Sequence, residues 1–126
     1  MPHIELLVNT KLFFSFFAEP ISFEGTQQIQ SVEDGSASFT LICKVTGNPR
    51  PKVTWNVRGT TIRDDNDKYQ VTSEGLVIKN ITQNDKGAYK CNARQLDEDI
   101  ADFQDMIIQL LIEREYSNYR AVGQKI

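Results

Sequence analysis

The sequence is poor in the residues that catalysis and metal binding use most often. It has one histidine, His3, two cysteines, and no glycine-rich phosphate-binding loop. A Cys–His pair or a Ser–His–Asp triad would need His3 to fold back from the N-terminal segment, and nothing in the pattern favours this. The sequence therefore predicts a protein that is not an enzyme, with no catalytic residue, no cofactor and no metal ligand.

Basic clusters are also missing. The formal net charge is −3, and residues 20–113 carry ten Lys and Arg against fourteen Asp and Glu. The basic residues are scattered, without the interleaved aromatic residues of a nucleic-acid-binding stripe. We therefore expect neither nucleic acid nor an anionic membrane surface as a partner.

No apolar run is long enough to cross a membrane. The most apolar segment lies within residues 6–17, and Asn9-Thr10-Lys11 interrupts it, so no transmembrane segment is predicted. As a secretory signal it lacks a basic start, and Phe16 occupies a position where a small residue should precede a cut after Ala18. We interpret residues 1–19 as a leader, either weakly signal-like or disordered or partly docked, and residues 114–126 as a linker or disordered tail.

Residues 20–113 have the pattern of one all-β domain. Short alternating runs recur with turn signals about every 8–12 residues, as in a β-sandwich, and no convincing helix appears. Pro49 and Pro51 predict an extended polyproline connection in place of ladder pairing. The predicted strands cover residues 21–23, 28–32, 38–45, 53–57, 60–63, 69–72, 76–79, 88–94 and 103–113.

One nested pattern within these strands is specific. Trp55 lies twelve residues after Cys43, and Tyr89 lies two residues before Cys91. The run Gly47-x-Pro49-x-Pro51-x-Val53-x-Trp55, followed by Asp85-x-Gly87-x-Tyr89-x-Cys91, resembles an intermediate-set (I-set) immunoglobulin domain. The long hairpin before residue 103 is similar to that of the second immunoglobulin domain in the neural cell adhesion molecule and fasciclin II group.

The resemblance implies a two-sheet Greek-key immunoglobulin sandwich with strands A-B-E-D in one sheet and A′-G-F-C-C′ in the other. It implies an inter-sheet disulfide between Cys43 and Cys91, although from the residues alone both could also be free buried thiols. Trp55, Leu76 and Tyr89 are expected in the core. Asp85 is expected either to accept hydrogen bonds from the corner backbone or to pair with Lys68, where the family places a cation.

The hairpin between the last two strands is acidic. Asp97, Glu98, Asp99, Asp102 and Asp105 lie close in sequence, but their spacing lacks the glycine and the terminal glutamate of an EF-hand loop. We interpret the cluster as a solvated hairpin tip. Some relatives bind heparin through basic clusters on the corresponding domain, and this acidic hairpin predicts no heparin binding here.

The last strand defines a candidate partner face. If Met106, Ile108, Leu110 and Ile112 point inward, then Ile107, Gln109 and Leu111 point outward. Strand F would add Lys90, Asn92 and Arg94, and strand C would add Thr54, Asn56 and Arg58. A grouped apolar patch on such a face marks an interface. The alternative is that the leader or a neighbouring domain covers it.

Asn80-Ile81-Thr82 is an N-glycosylation acceptor near the E–F corner, away from the predicted partner face. Together with the cysteine frame, it favours an extracellular, cell-surface or secreted location, although an unmodified turn asparagine is the alternative. The predicted function is an extracellular recognition module of a cell-adhesion protein that binds a related immunoglobulin domain or a second copy of itself. The alternatives are an intracellular structural module of a muscle-type tandem array and a growth-factor or cytokine receptor fragment.

Overall fold

The computed structural model describes residues 18–63 and 65–114 of the chain. Within them it contains ten strands and one short 3₁₀ helix, Gln83–Asp85. The strands are β1 Glu19–Ser22, β2 Ile29–Glu33, β3 Ser38–Ile42, β4 Thr46–Asn48, β5 Lys52–Val57, β6 Thr60–Ile62, β7 Tyr69–Val71, β8 Gly75–Lys79, β9 Gly87–Leu96 and β10 Ala101–Glu113.

Two main sheets form the sandwich, which confirms the predicted fold class. The larger sheet has the order β2-β10-β9-β5-β6, which is the predicted A′-G-F-C-C′ sheet. In it β2 runs parallel to β10, and the other pairs are antiparallel. The smaller sheet has the order β3-β8-β7 and corresponds to strands B, E and D.

The prediction for the first strand is wrong in its pairing. Strand β1 pairs with β4 and not with β3, so the expected A-B-E-D sheet is divided into a three-stranded sheet and a two-stranded ladder. The run predicted as one strand over residues 38–45 ends at Ile42. The segment predicted as an unpaired polyproline connection supplies β4, because its ladder residues precede Pro49 and keep their backbone N–H groups.

Because β1 pairs with β4, polar side chains take the place of a strand along the edge of β3. The Gln30 side chain accepts from the Ile42 backbone N–H at 2.9 Å and donates to the Ile42 carbonyl at 2.7 Å. The Thr26 hydroxyl makes the same pair of contacts with Lys44, at 2.7 and 3.0 Å. These amide and hydroxyl groups satisfy edge groups that would otherwise lack partners.

The core lies between the two main sheets. Leu41, Trp55, Leu76, Ile108 and Leu110 are fully buried, and Cys43 and Cys91 form the predicted inter-sheet disulfide. Trp55 lies directly across from Cys91 in the β5–β9 ladder. The inward-pointing residues of β10 alternate with exposed ones, as expected for a strand with one face on the core.

Candidate functional site

The outer face of the larger sheet carries the candidate site. Its side chains form rows across the strands, because residues opposite one another in a ladder share a face. Ile107 lies opposite Lys90, Asp105 opposite Asn92, and Phe103 opposite Arg94. In the next strand, Lys52 lies opposite Arg94 and Thr54 opposite Asn92.

Three apolar side chains surround one glutamine at the end of this face nearer the E–F corner. Ile107 and Leu111 flank Gln109 along β10, and Ile29 lies opposite Gln109 in the parallel ladder with β2. Ile107, Leu111 and Ile29 are 52%, 50% and 64% exposed, respectively. We call Ile29, Ile107 and Leu111 the apolar cluster. Three large apolar side chains that lie together and are exposed to solvent are typical of an interaction surface.

The residues predicted for the partner face have different environments. Ile107, Gln109, Leu111, Lys90 and Arg94 are exposed, whereas Asn92 is half-buried. Sequence reasoning missed Ile29, Leu96 and Phe103. The alternation in β10 that exposes Ile107 also exposes Phe103. The position of Ile29 depends on the parallel register with β10, which no local pattern specifies.

Arg58 does not belong to this face, and its predicted outward position on strand C is wrong. Strand β5 ends at Val57, and Arg58 has φ +52° in the turn that follows. This left-handed conformation redirects the side chain, which donates to the carbonyl of Asn84 near the E–F corner. Arg58 therefore links two loops at the end of the sandwich.

The E–F corner combines a charge pair with a tyrosine hydrogen bond. Lys68 Nζ lies 2.8 Å from Asp85 Oδ2, and the same oxygen accepts from the Thr82 backbone N–H at 2.8 Å. Both expected contacts of Asp85 are therefore present. The Tyr89 hydroxyl donates to the Asp85 carbonyl at 2.6 Å. Burial raises the pKa of Tyr89 above its ordinary value, and charge on Tyr69 and Asp85 raises it further.

Asn80 lies at this corner with its side chain exposed and φ +52°. Its backbone is fixed, because its N–H donates to the Ala37 carbonyl and its carbonyl accepts from Lys68 Nζ. Thr82, the third residue of the acceptor triplet, caps the 3₁₀ helix. The side chain of Asn80 is thus presented to solvent from a rigid turn.

Gln95 is a buried polar residue that the sequence analysis did not single out. It is 2% exposed, and its Nε2 donates to the carbonyls of Glu19 and Pro49 at 2.7 and 2.8 Å. Gly47 allows this contact, since a Cβ on it would lie 2.7 Å from Gln95 Nε2. The sequence signal for this buried residue is a polar side chain at an inward position of β9, two residues after Ala93.

The charged groups of the site do not form a metal centre. No group of three or more His, Cys, Asp or Glu side chains within residues 18–63 and 65–114 is arranged to hold a metal ion. The predicted leader and tail, with His3, lie outside those residues apart from positions 18, 19 and 114. In the part of the chain that the structure describes, no helix is long and apolar enough to cross a membrane.

Comparison with known proteins gives a family match. Residues 21–100 match the family model of the immunoglobulin I-set domain. Protein turtle homolog B of Rattus norvegicus is 34% identical over 83 residues, which cover 66% of this chain and 6% of that protein. Titin of Drosophila melanogaster is 43% identical over 63 residues, which cover 47% of this chain and, rounded, 0% of titin. The chain thus spans a small part of the length of these curated relatives.

A solved structure gives the same fold. The insect immune protein hemolin superposes with a TM-score of 0.55 and 29% identity, covering 78% of this chain and 23% of hemolin. Hemolin has a domain arrangement with implications for homophilic adhesion. The chain is therefore similar to one part of each of these longer proteins.

Proposed function

Because the chain belongs to the immunoglobulin I-set domain family, we propose that it is an extracellular recognition module of a cell-adhesion protein. It binds another immunoglobulin domain, including a second copy of itself, through the outer face of the β10-β9-β5 strands. The observation that carries this proposal is the apolar cluster, in which Ile29, Ile107 and Leu111 are each at least half exposed. Similarity to hemolin supports the homophilic form.

The polar residues around the apolar cluster suit a reversible protein contact. Lys90 and Arg94 add positive charge to the face, and Asp105, opposite Asn92, adds negative charge. A face with both signs beside apolar residues can be self-complementary across a two-fold axis. Exposed charges around an apolar centre also keep the unbound domain soluble.

Sedimentation velocity over a range of protein concentrations tests this proposal. Ile107→Asp/Leu111→Asp should abolish concentration-dependent association, because two charges would be buried in the contact. Ile42→Asp is the matched control, since Ile42 is an exposed apolar residue on the other sheet, 38% exposed, and should leave association unchanged. Association that survives in the face variant, or is lost equally in the control, would refute the proposed face.

Asn80 belongs to the same proposal as an N-glycosylation site. Its exposed side chain in a solvent-facing turn supports modification. Expression through a secretory pathway should give a mass increase that enzymatic removal of N-glycans reverses and that Asn80→Gln abolishes. The unmodified mass in the secreted protein would contradict glycosylation.

The similarity to Drosophila titin favours a second candidate, an intracellular module of a muscle-type tandem array. The two candidates differ in the state of the cysteines in the cell, since cytosolic thiols stay reduced. Protein isolated from its natural source with thiols blocked at lysis should gain about two daltons on later reduction if Cys43 and Cys91 are bonded. Both thiols blocked before reduction would favour the intracellular candidate.

A further inference from the structure

The last strand has an edge that is only partly paired. Strand β2 pairs with β10 only from Gln109 onward. Over residues 101–108, no strand in the described part of the chain pairs with β10 on the side away from β9. Strand β1 does not take this place, because it pairs with β4 and its Glu19 carbonyl is held by the inward-pointing side chain of Gln95. We call this side of residues 101–108 the open edge.

Backbone hydrogen-bonding groups point out of the open edge. The Gln109 N–H donates to the Gln28 carbonyl, on the side of β10 away from β9. Residues two apart in a strand direct their backbone groups to the same side, and the β9–β10 register is unbroken here. The N–H and C=O groups of Phe103, Asp105 and Ile107 therefore point to the open edge. Such a row of groups is a template for one more strand.

The side chains of the same three residues determine which sequence fits there. Phe103 and Ile107 are 62% and 52% exposed, and Asp105 lies exposed between them. A residue opposite each of them in an added strand would place its side chain on the same face, about 5 Å away at Cβ. The open edge thus offers an apolar, an acidic and an apolar position in a row.

Charge determines which partner suits this row. A two-fold antiparallel pairing of two copies that uses all three residues would put Asp105 opposite its own counterpart, and like charges directly opposite are destabilising. A basic residue opposite Asp105 would be one strand spacing away, about 5 Å, from the acidic residue. Lys90 and Arg94 lie on β9, one strand further from the added strand at about 10 Å. The nearest charge on the outer face therefore favours a basic partner over a second copy.

We propose that the open edge binds an extended segment of another protein as an added strand, and that this segment has a basic residue between two apolar residues at alternate positions. Main-chain hydrogen bonds supply affinity in such a contact, and the alternate side chains supply specificity. The pattern is the same in both chain directions, so it fits a parallel or an antiparallel strand. This contact goes beyond the proposed function, because it takes an extended segment and not the face of a folded domain.

A peptide titration tests the proposal on the full ¹⁵N-labelled chain, at a protein concentration too low for self-association. The probe is acetyl-Ser-Val-Thr-Lys-Thr-Val-Ser-amide, and its matched control has Glu in place of Lys. The Lys peptide should shift the amide signals of Phe103, Asp105 and Ile107 and slow their hydrogen exchange. It should bind about tenfold more tightly than the Glu peptide, because an opposite charge replaces a like one. Equal affinities, shifts confined to other strands, or no binding at millimolar peptide would overturn the proposal.

A charge exchange on the protein gives the second test. Asp105→Lys should reverse the preference, so that the Glu peptide binds more tightly than the Lys peptide. Glu98→Lys is the matched control, since it changes the net charge equally at an exposed position outside the open edge. It should keep the preference for the Lys peptide. An unchanged preference in Asp105→Lys, or a reversal in both variants, would refute pairing opposite Asp105.

The two proposals fail separately. If Ile107→Asp/Leu111→Asp self-associates normally while the unchanged chain binds the Lys peptide at the open edge, only the proposed function is refuted. If the same face variant loses self-association while the unchanged chain does not distinguish the two peptides, only the open-edge contact is refuted.

Discussion

At the scale of single residues, the E–F corner concentrates the polar chemistry of this domain. Asp85 is 4% exposed and accepts from both Lys68 Nζ and the Thr82 N–H. Lys68 Nζ also donates to the carbonyls of Lys79 and Asn80. The carboxylate and the lysine together join three segments of backbone, and loss of the carboxylate would remove the acceptor of the Thr82 N–H and the countercharge of Lys68.

Asp85→Ala should lower the free energy of unfolding by about 3 kcal/mol, because it leaves the Lys68 charge and the Thr82 N–H without their partner. Lys68→Met should cost at least as much, about 3 kcal/mol, because it strands the buried Asp85 carboxylate, whereas Lys68 is 35% exposed and can be hydrated when Asp85 is removed. Urea denaturation measures both. Lys86→Met, an exposed change one residue away, is the control and should have almost no effect. Equal small losses in all three variants would contradict a structural role for the pair.

Because of Tyr89, the free energy of unfolding should depend on pH in the alkaline range. Burial raises its pKa, with charge on Tyr69 and Asp85 adding to the rise and Arg58 opposing it. The folded state therefore keeps the phenol proton at a pH where the unfolded chain releases it. The stabilisation is complete below the unfolded pKa of about 10 and is lost as the pH rises above it.

Tyr89→Phe should cost about 1–2 kcal/mol at neutral pH, because the hydrogen bond to the Asp85 carbonyl is lost. Above pH 10, the unfolding free energy of the variant should fall less steeply than that of the unchanged protein. Denaturant titrations between pH 7 and 11 check both expectations. Parallel pH profiles for the two proteins would show that the proton on Tyr89 is not linked to folding.

At the scale of elements, Gln95 holds β1 and the β4–β5 connection to β9. The side-chain amide of this one buried residue donates hydrogen bonds to both the Glu19 and the Pro49 carbonyls. Gly47 leaves room for that amide, and a Cβ there would also approach Pro51 Cγ at 3.1 Å. The β1–β4 ladder is short, so this side chain contributes much of its attachment to the sandwich.

Gln95→Leu should release β1 while the two main sheets stay folded. The Glu19 and Pro49 carbonyls would lose their donor, at a cost of about 1–3 kcal/mol. Hydrogen exchange should speed up in β1 and β4 and stay slow in β8. Gln104→Leu, an exposed glutamine on β10, is the matched control. Equal protection of β1 in both variants would contradict the role of Gln95.

A strand could be predicted from the sequence where local alternation defines it, and could not where contacts with distant residues define its pairing. The alternation of Met106, Ile108 and Leu110 predicts the inward face of β10, because burial repeats every two residues in a strand with one face on the core. The pairing of β1 with β4 depends on Gln95 and on where Thr26 and Gln30 take over the edge of β3. These are contacts between residues that are distant in sequence, and the alternation within one strand does not predict them.

The same distinction applies to the candidate site. The outward positions of Ile107, Gln109 and Leu111 were predictable from the alternation of β10 alone, since the residues between them point into the core. Ile29 joins them only through a parallel register between strands 80 residues apart in sequence. Arg58 left the face because a left-handed turn follows Val57. Gly59 marks this two-residue turn in the sequence, but an arginine does not by itself indicate the positive φ that Arg58 adopts.

At the scale of the whole molecule, one covalent bond joins the two main sheets. Cys43 and Cys91 are separated by 48 residues, and a cross-link that closes such a loop stabilises the fold by about 4 kcal/mol in the chain-entropy model. Leu41, Trp55 and Leu76 pack in the core around it. The bond is therefore a large part of the stability of a small domain.

Cys43→Ala/Cys91→Ala should lower the unfolding free energy by roughly 4 kcal/mol while keeping the β-sheet circular dichroism spectrum at low temperature. Reduction of the unchanged protein should give a similar loss. Thermal denaturation with and without reductant measures both. A midpoint that does not respond to reductant would mean that the core alone supports the sandwich.

Mapping contacts directly is the sharpest test of the recognition role proposed for the β10-β9-β5 face. Amide spectra of the oxidised, ¹⁵N-labelled chain should be recorded from dilute to concentrated solution. We expect concentration-dependent shifts at four residues of the face, Ile29, Ile107, Gln109 and Leu111, with β3 and β8 unchanged. Shifts confined to the β3-β8-β7 sheet, or no shifts at any concentration, would contradict it.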